Sequence, residues 1–336
     1  MKNSITTPTT NRGVENTSKY PVIVDWLTFS GHFSTFQEMI RFLGLENSGI
    51  EFEESPPKWF YKYAMTYNNE ITLMMSQKDD YTMAAVNISG RGCRDIESFS
   101  DYSIFDLICK IVSLKSFQIS RVDISMDVID NSFSIDTLVK ATRKGNFTCR
   151  SKFYNIMESS DDGIKGTSLY FGKQNSNCFI NIYDKRAERG YKSDDMPNWT
   201  RFEIRLRHEN AEGFCNKLVS GSDVGYLYTG LLNNYLRFVV SSSDNNKSRL
   251  KTARYWQKLL SHSEKIKVFD TVGVEYDYSK FEDYLFNTCG SSIVAYLKTH
   301  TVKDLENELS ERNIKLNKRQ KILVDNYISG IDYMIL

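Results

Sequence analysis

Three segments of this chain alternate apolar and polar residues with a period of two, which leaves little choice of local structure. In RVDISMDV, Val122, Ile124, Met126 and Val128 fall on one side of an extended strand, and Arg121, Asp123, Ser125 and Asp127 on the other. RFEIRLR divides in the same way, Phe202, Ile204 and Leu206 against Arg201, Glu203, Arg205 and Arg207. FINIYDK sets Phe179, Asn181, Tyr183 and Lys185 opposite Ile180 and Ile182. VIVDWLTFS, EITLMMS, TMAAVNISG and TSLYFGK add runs of strand length and composition. Helical patterns lie between them, near 34–44, 102–115, 134–144 and 209–221, and GRGC at 90–93 reads as a turn. Strands interleaved with helices, the last three at hairpin spacing, predict an α+β domain with a mainly antiparallel sheet and packed helices.

The first 19 residues are polar and aperiodic and read as a disordered tail, so the α+β domain is assigned to 20–245. SSSDNNKSR at 241–249 reads as a linker. The remainder, 246–336, is expected to be helical and to pack through Trp256, Leu259, Phe281, Leu285, Ile293 and Leu297. Within it, ENELSERNIKLNKRQKIL has the look of a DNA-reading helical hairpin, which suggests a recognition role.

The formal net charge is +1, so any nucleic-acid contact has to be local. Basic clusters occur at Lys140, Arg143, Lys144, Arg150 and Lys152, at Lys247, Arg249, Lys251 and Arg254, and at Lys315, Lys318, Arg319 and Lys321; ordinary solvated helix faces account for most clusters of this kind. No stretch approaches the roughly 20 apolar residues of a membrane span. The six cysteines form no C-x-x-C pair, which fits a reducing cytoplasm.

If the three alternating strands share a sheet, three carboxylates, one tyrosine and several cations lie on one polar face. That face is either a solvated surface of cross-strand ion pairs or a site where Asp and Glu oxygens hold a hard cation, Mg²⁺ or Mn²⁺. Asp123 and Asp127 are about 13 Å apart along an extended strand, so one is expected to be a ligand and the other to orient a cation. Lys185 stands where a cation could contact phosphate. The four histidines are widely separated and there is no G-x-x-x-x-G-K-[ST] loop, which argues against a two-histidine metal site and an ATP-driven helicase.

In order and spacing, VDWLTFS, ISGRGCR, SRVDISMDV, TSLYFGKQNSNCFINIYDKRAE, RFEIRLR and ARYWQKLL resemble the trans-acting replication initiation factor family of rolling-circle plasmids, phages and mobile elements. The resemblance implies an enzyme that nicks and rejoins one DNA strand at an origin. It implies Tyr183 as nucleophile, forming a 5′-phosphotyrosyl bond, with metal ligands matching Asp123 or Asp127 and Glu203. The expected partners are origin DNA, single-stranded or cruciform at the nick, with a host helicase and polymerase; inverted-repeat origins suit a homodimer. The alternatives are a conjugative or mobilisation relaxase of an integrating element, a nuclease that uses water directly, and a non-catalytic DNA-binding regulator.

Overall fold

The computed structural model describes residues 20–77, 81–131, 133–161, 164–192, 196–241, 246, 249–260, 282, 285–286, 289–312, 316, 321 and 324. The chain opens with β1 (Val22–Phe33) and α1 (Phe36–Phe42), followed by the meander β2 (Glu53–Ser55), β3 (Tyr63–Tyr67), β4 (Ile71–Met75) and β5 (Thr82–Ile88). Helices α2 (Gly90–Phe99) and α3 (Ile104–Ser113) lead to β6 (Gln118–Ile129). Next come α4 (Ile135–Arg143), β7 (Phe147–Cys149), β8 (Tyr154–Asp161), β9 (Ile164–Phe171), β10 (Cys178–Asp184), α5 (Lys185–Glu188) and β11 (Trp199–Arg207). Then follow α6 (Glu209–Val219), α7 (Val224–Tyr235), β12 (Leu236–Phe238) and α8 (Arg254–Leu259), within a compact unit that ends at Phe269. Two helices, α9 (Gly290–Leu297) and α10 (Val302–Glu311), belong to a second unit, Asp270–Leu336.

Ten strands form one sheet in the order β2-β3-β4-β5-β1-β6-β11-β10-β9-β8, with every neighbouring pair antiparallel, and β12 pairs with β7 apart from it. One parity of each central strand is fully apolar: Val122, Ile124 and Met126 on β6, Phe202, Ile204 and Leu206 on β11, Ile180 and Ile182 on β10. These join one core with Met39 of α1, Ile96 of α2, Leu107 of α3, Leu138 of α4, Phe214 of α6 and Leu231 of α7. The helices therefore cover one face of the sheet.

Serine side chains start α2, α3 and α4 by capping free backbone N–H groups, and Ser103 and Asp106 cap each other reciprocally at α3. GRGC is not a turn but the first turn of α2. A Cβ at Gly90 would lie 2.5 Å from Asp25 Oδ1, and one at Gly92 would lie 2.6 Å from the Glu70 carbonyl oxygen, so glycine is there to let the helix approach the sheet. Most of 241–249 falls outside the described residues, as do the tail at 1–19 and Phe281. Trp256 and Leu259 are buried in the main core, Ile293 is half-buried and Leu297 exposed. No described helix is long and apolar enough to cross a membrane.

Candidate active site

Because β6, β11 and β10 are neighbours, their polar parities line up in three rungs: Asp127–Arg201–Tyr183, Ser125–Glu203–Asn181, and Asp123–Arg205–Phe179. The polar face anticipated from alternation therefore exists. What it does with its charges differs from expectation.

In the first rung Arg201 grips Asp127 with a two-pronged contact, Nε to Oδ1 at 2.8 Å and Nη2 to Oδ2 at 2.6 Å, while Trp199 Nε1 donates to Oδ1 at 2.7 Å. In the third rung Asp123 is held in the same manner by Arg121, at 2.8 and 2.5 Å, and receives Arg205 Nε at 3.1 Å. Both aspartates, expected as alternative metal ligands, thus have their oxygens taken by arginines. Among the described residues no three acidic, histidine or cysteine side chains converge as a metal cage.

The middle rung is the uncompensated one. Among the described residues Glu203 has one ion pair, Arg205 Nη2 to Oε1 at 3.6 Å, and burial together with Asp123 and Asp25 pushes its carboxyl up to about 7 against the pull of Arg205 and Arg201. Opposite it on β10, Asn181 Oδ1 is a buried acceptor with no hydrogen-bond partner among the described residues.

Asp25 completes the cluster and was not singled out from sequence. The register of β1 on β6 shifts between Val24 and Trp26, so Asp25 is the extra residue of a bulge. Its carboxylate takes Arg201 Nη1 at 3.0 Å and Ser125 Oγ at 3.3 Å, and burial raises its pKa against the pull of Arg201 and Arg94. The signal for it was present: core residues in VIVDWLTFS switch from even positions, Val22 and Val24, to odd ones, Leu27 and Phe29, across Asp25.

Tyr183 sits beside Arg201 with its phenol free of hydrogen bonds to described residues; burial drives its pKa upward, Arg201 opposes this, and Glu203, Glu188 and Asp25 add to it. Lys185 reaches the site by a different route from the one expected. The strand ends at Asp184, whose carboxylate caps the following turn by accepting from Ala187 N–H at 3.0 Å, so Lys185 opens α5. Its ammonium pairs with Glu188 and lies 5.5 Å from the Tyr183 ring centre, and burial lowers its pKa. A phenol beside two cations, with the Glu203 and Asp25 carboxylates alongside, is an arrangement suited to receiving an anionic phosphodiester.

Comparison with known proteins agrees with that chemistry. A Bacillus subtilis (strain 168) protein named "Putative DNA relaxase NicK" is 26% identical over 294 residues, covering 82% of each chain. The solved structure of a rolling circle replication initiator protein from Geobacillus stearothermophilus matches with a TM-score of 0.65 at 26% identity, over 74% of this chain and 98% of that one. The description of the replication initiation factor family matches residues 117–312, more than half of the sequence and all three rungs, and this chain belongs to that family.

Proposed function

We propose that the chain nicks one DNA strand at a replication origin and later rejoins it, with Tyr183 as the nucleophile. The observation that carries this is the setting of Tyr183 on the sheet face not covered by the core helices, between Arg201 and Lys185. Attack of the phenol oxygen on phosphorus forms a bond to the 5′ phosphate and breaks the bond to the 3′ oxygen, which leaves as a 3′-OH. The phenol proton passes to a base in the site, and attack by a 3′-OH on the tyrosyl phosphate reverses the step. Arg201, held rigid by Asp127, and Lys185 neutralise charge on the non-bridging oxygens. The freed 3′-OH suits extension by a host polymerase, with a host helicase opening the duplex, and a homodimer would match an inverted-repeat origin.

The family resemblance brings in a divalent cation, and the residues present fit one. Glu203 and Asp25 are half-buried carboxylates whose pKa burial raises, Asp25 accepting from Arg201 and Ser125 through Oδ2, and the Asn181 oxygen, without a hydrogen-bond partner among the described residues, faces the same rung. Oxygen donors of this kind suit Mg²⁺ or Mn²⁺, whose charge would help bind and polarise the phosphate. Glu203, Asp25 and Asn181 would hold it, in preference to Asp123 and Asp127.

The experiment is a labelled single-stranded origin oligonucleotide incubated with protein and Mn²⁺, then denatured. Label should remain on a peptide containing Tyr183, and Tyr183→Phe should bind DNA but form no adduct. EDTA should abolish the adduct. Cleavage by wild type without any adduct would mean direct hydrolysis by water, and an adduct on another tyrosine would move the site. The likeness to NicK supports a second reading, nicking at a transfer origin, which uses the same chemistry and differs only in the DNA that is cut.

A further inference from the structure

The loop between β2 and β3, SPPKWFYKY, leaves two large aromatic side chains almost bare: Trp59 is 66% exposed and Phe60 76%. Isolated exposed apolar residues need no explanation, but this pair is built. Tyr61 is only 4% exposed and anchors the loop in a small cluster with Ala64, Met74 and Ala85, and its ring lies 4.4 Å from that of Phe60. Lys58 Nζ donates to Thr72 Oγ1 at 3.4 Å, and the Lys62 amide continues the ladder by donating to the Met75 carbonyl at 3.1 Å. Trp59 itself has φ +56, a left-handed conformation that bulky side chains rarely adopt. Such strain is retained where the surrounding structure over-determines it, often at binding sites.

The loop also lies on the face that carries Tyr183. Ala64, Met74 and Ala85 share strand parity with Thr66, Thr72 and Asn87, away from the core. From Thr72 the register runs Thr72–Asn87–Thr28–Arg121 straight across β4, β5, β1 and β6. Trp26 bridges this row, Nε1 donating to Thr28 Oγ1 and Asn87 Oδ1 at 3.0 Å each, with the Arg121 guanidinium 4.0 Å from its ring centre. Arg121 then meets Asp123, in the third rung of the site. From β4 to β10 is five strand steps, about 24 Å at about 4.8 Å per step, and the Tyr183 rung crosses β6 six residues beyond Arg121, at Asp127, about 20 Å along the strand, which together make about 31 Å.

We propose that Trp59 and Phe60 stack unpaired DNA bases, holding the displaced single strand several nucleotides from the bond that Tyr183 attacks. The loop from Pro56 to Tyr63 carries Lys58 and Lys62 and no acid, which suits a polyanion. Glu53, opposite Thr66, faces the same side, so the contact is made through rings more than through phosphates. The loop lies outside residues 117–312, so this contact belongs to the part of the chain the family description does not match.

The proposal rests on the nicking function above, and its test separates the two. Full-length protein would be titrated with a fluorescent oligodeoxythymidylate. Trp59→Ala and Phe60→Ala should each weaken binding by about tenfold, Trp59→Phe should restore it, and the salt dependence should change little. Photo-crosslinking of wild-type protein to an oligonucleotide carrying 5-iododeoxyuridine should yield adducts at Trp59 or Phe60, a readout that needs no variant to fold. Equal affinity of all variants, or crosslinks confined to other residues, would overturn the stacking site while leaving the Tyr183 adduct intact. A wild type that binds no single strand would overturn both.

Discussion

Glu203 is a half-buried acid whose carboxyl is pushed up to about 7, and the consequence for stability has a definite sign. An acid with a folded value above its unfolded one holds its proton more tightly when folded, so its contribution to stability falls as pH rises from the ordinary carboxylate range through about 7. Glu203→Gln in EDTA should therefore raise Tm by a few degrees at about pH 8 and by little at about pH 5. Mg²⁺ or Mn²⁺ should raise the wild-type Tm more at about pH 8 than at about pH 6, because proton and cation compete for the same oxygens. A wild-type Tm indifferent to both ions would remove Glu203 from the metal reading. Arg201 makes the complementary case: Arg201→Ala strands Asp127 in the interior, 4% exposed, and should cost about 3–5 kcal/mol in chemical denaturation. Arg201→Asn with Asp127→Asn should recover part of that. Alternation gave the face of Asp123, Asp127, Tyr183 and Glu203, but not which acids pair with arginines, because that depends on cross-strand register and on Asp25 arriving from a bulge two strands away.

Between secondary-structure elements, the contact that shapes the site is α2 against the β1 bulge. Gly90→Ala would place a methyl group 2.5 Å from Asp25 Oδ1, in a place with no flexible side chain to yield except that carboxylate. Single-turnover cleavage should fall by at least about tenfold, since misplacing a catalytic group by about 1 Å can cost more than that. Binding of single-stranded DNA should be nearly unchanged. An unaltered cleavage rate would mean that Asp25 has no part in the chemistry. Helix α2 was illegible because glycine at two of its first three positions is a turn signal unless a close approach demands it. Helix α7 was illegible for another reason: beside the helically spaced Val224, Leu227, Tyr228, Leu231 and Leu232, the small residues Gly225, Thr229 and Gly230 are buried too, so no polar opposite face sets the stripe off. Strands β2, β7 and β12 have three residues each, too few for alternation to register, and β8 is a largely polar edge strand defined only by its hairpin with β9.

At the level of the whole chain, the linker-like composition at 241–249 is followed by residues that belong to the main core. Val239 pairs with Thr252, and the indole of Trp256 packs 4.9 Å from Phe238 and 6.1 Å from Phe202, centre to centre. Since Phe202 lies on β11 between Arg201 and Glu203, Trp256 supports the strand that carries the middle rung. A chain ending at 245 would lose a fully buried tryptophan together with Leu259 and Leu260, and loss of a buried tryptophan side chain alone costs about 3–5 kcal/mol. It should melt without cooperativity. A chain of residues 20–269, the end of the first compact unit, should instead melt cooperatively and still form the tyrosyl adduct with a single-stranded origin oligonucleotide. The second unit is where tight binding to duplex origin is expected, although α10 is not its phosphate-binding element: Val302–Glu311 carries four acids, Asp304, Glu306, Glu308 and Glu311, against one lysine, Lys303. Basic residues after it, Lys315, Lys318, Arg319 and Lys321, are the candidates. The 20–269 chain should thus lose affinity for duplex origin and show a flatter dependence of log Kd on log salt, because phosphate contacts have gone. If it binds duplex origin as tightly as the full chain, recognition resides with the sheet and its loops, and the C-terminal unit has another role.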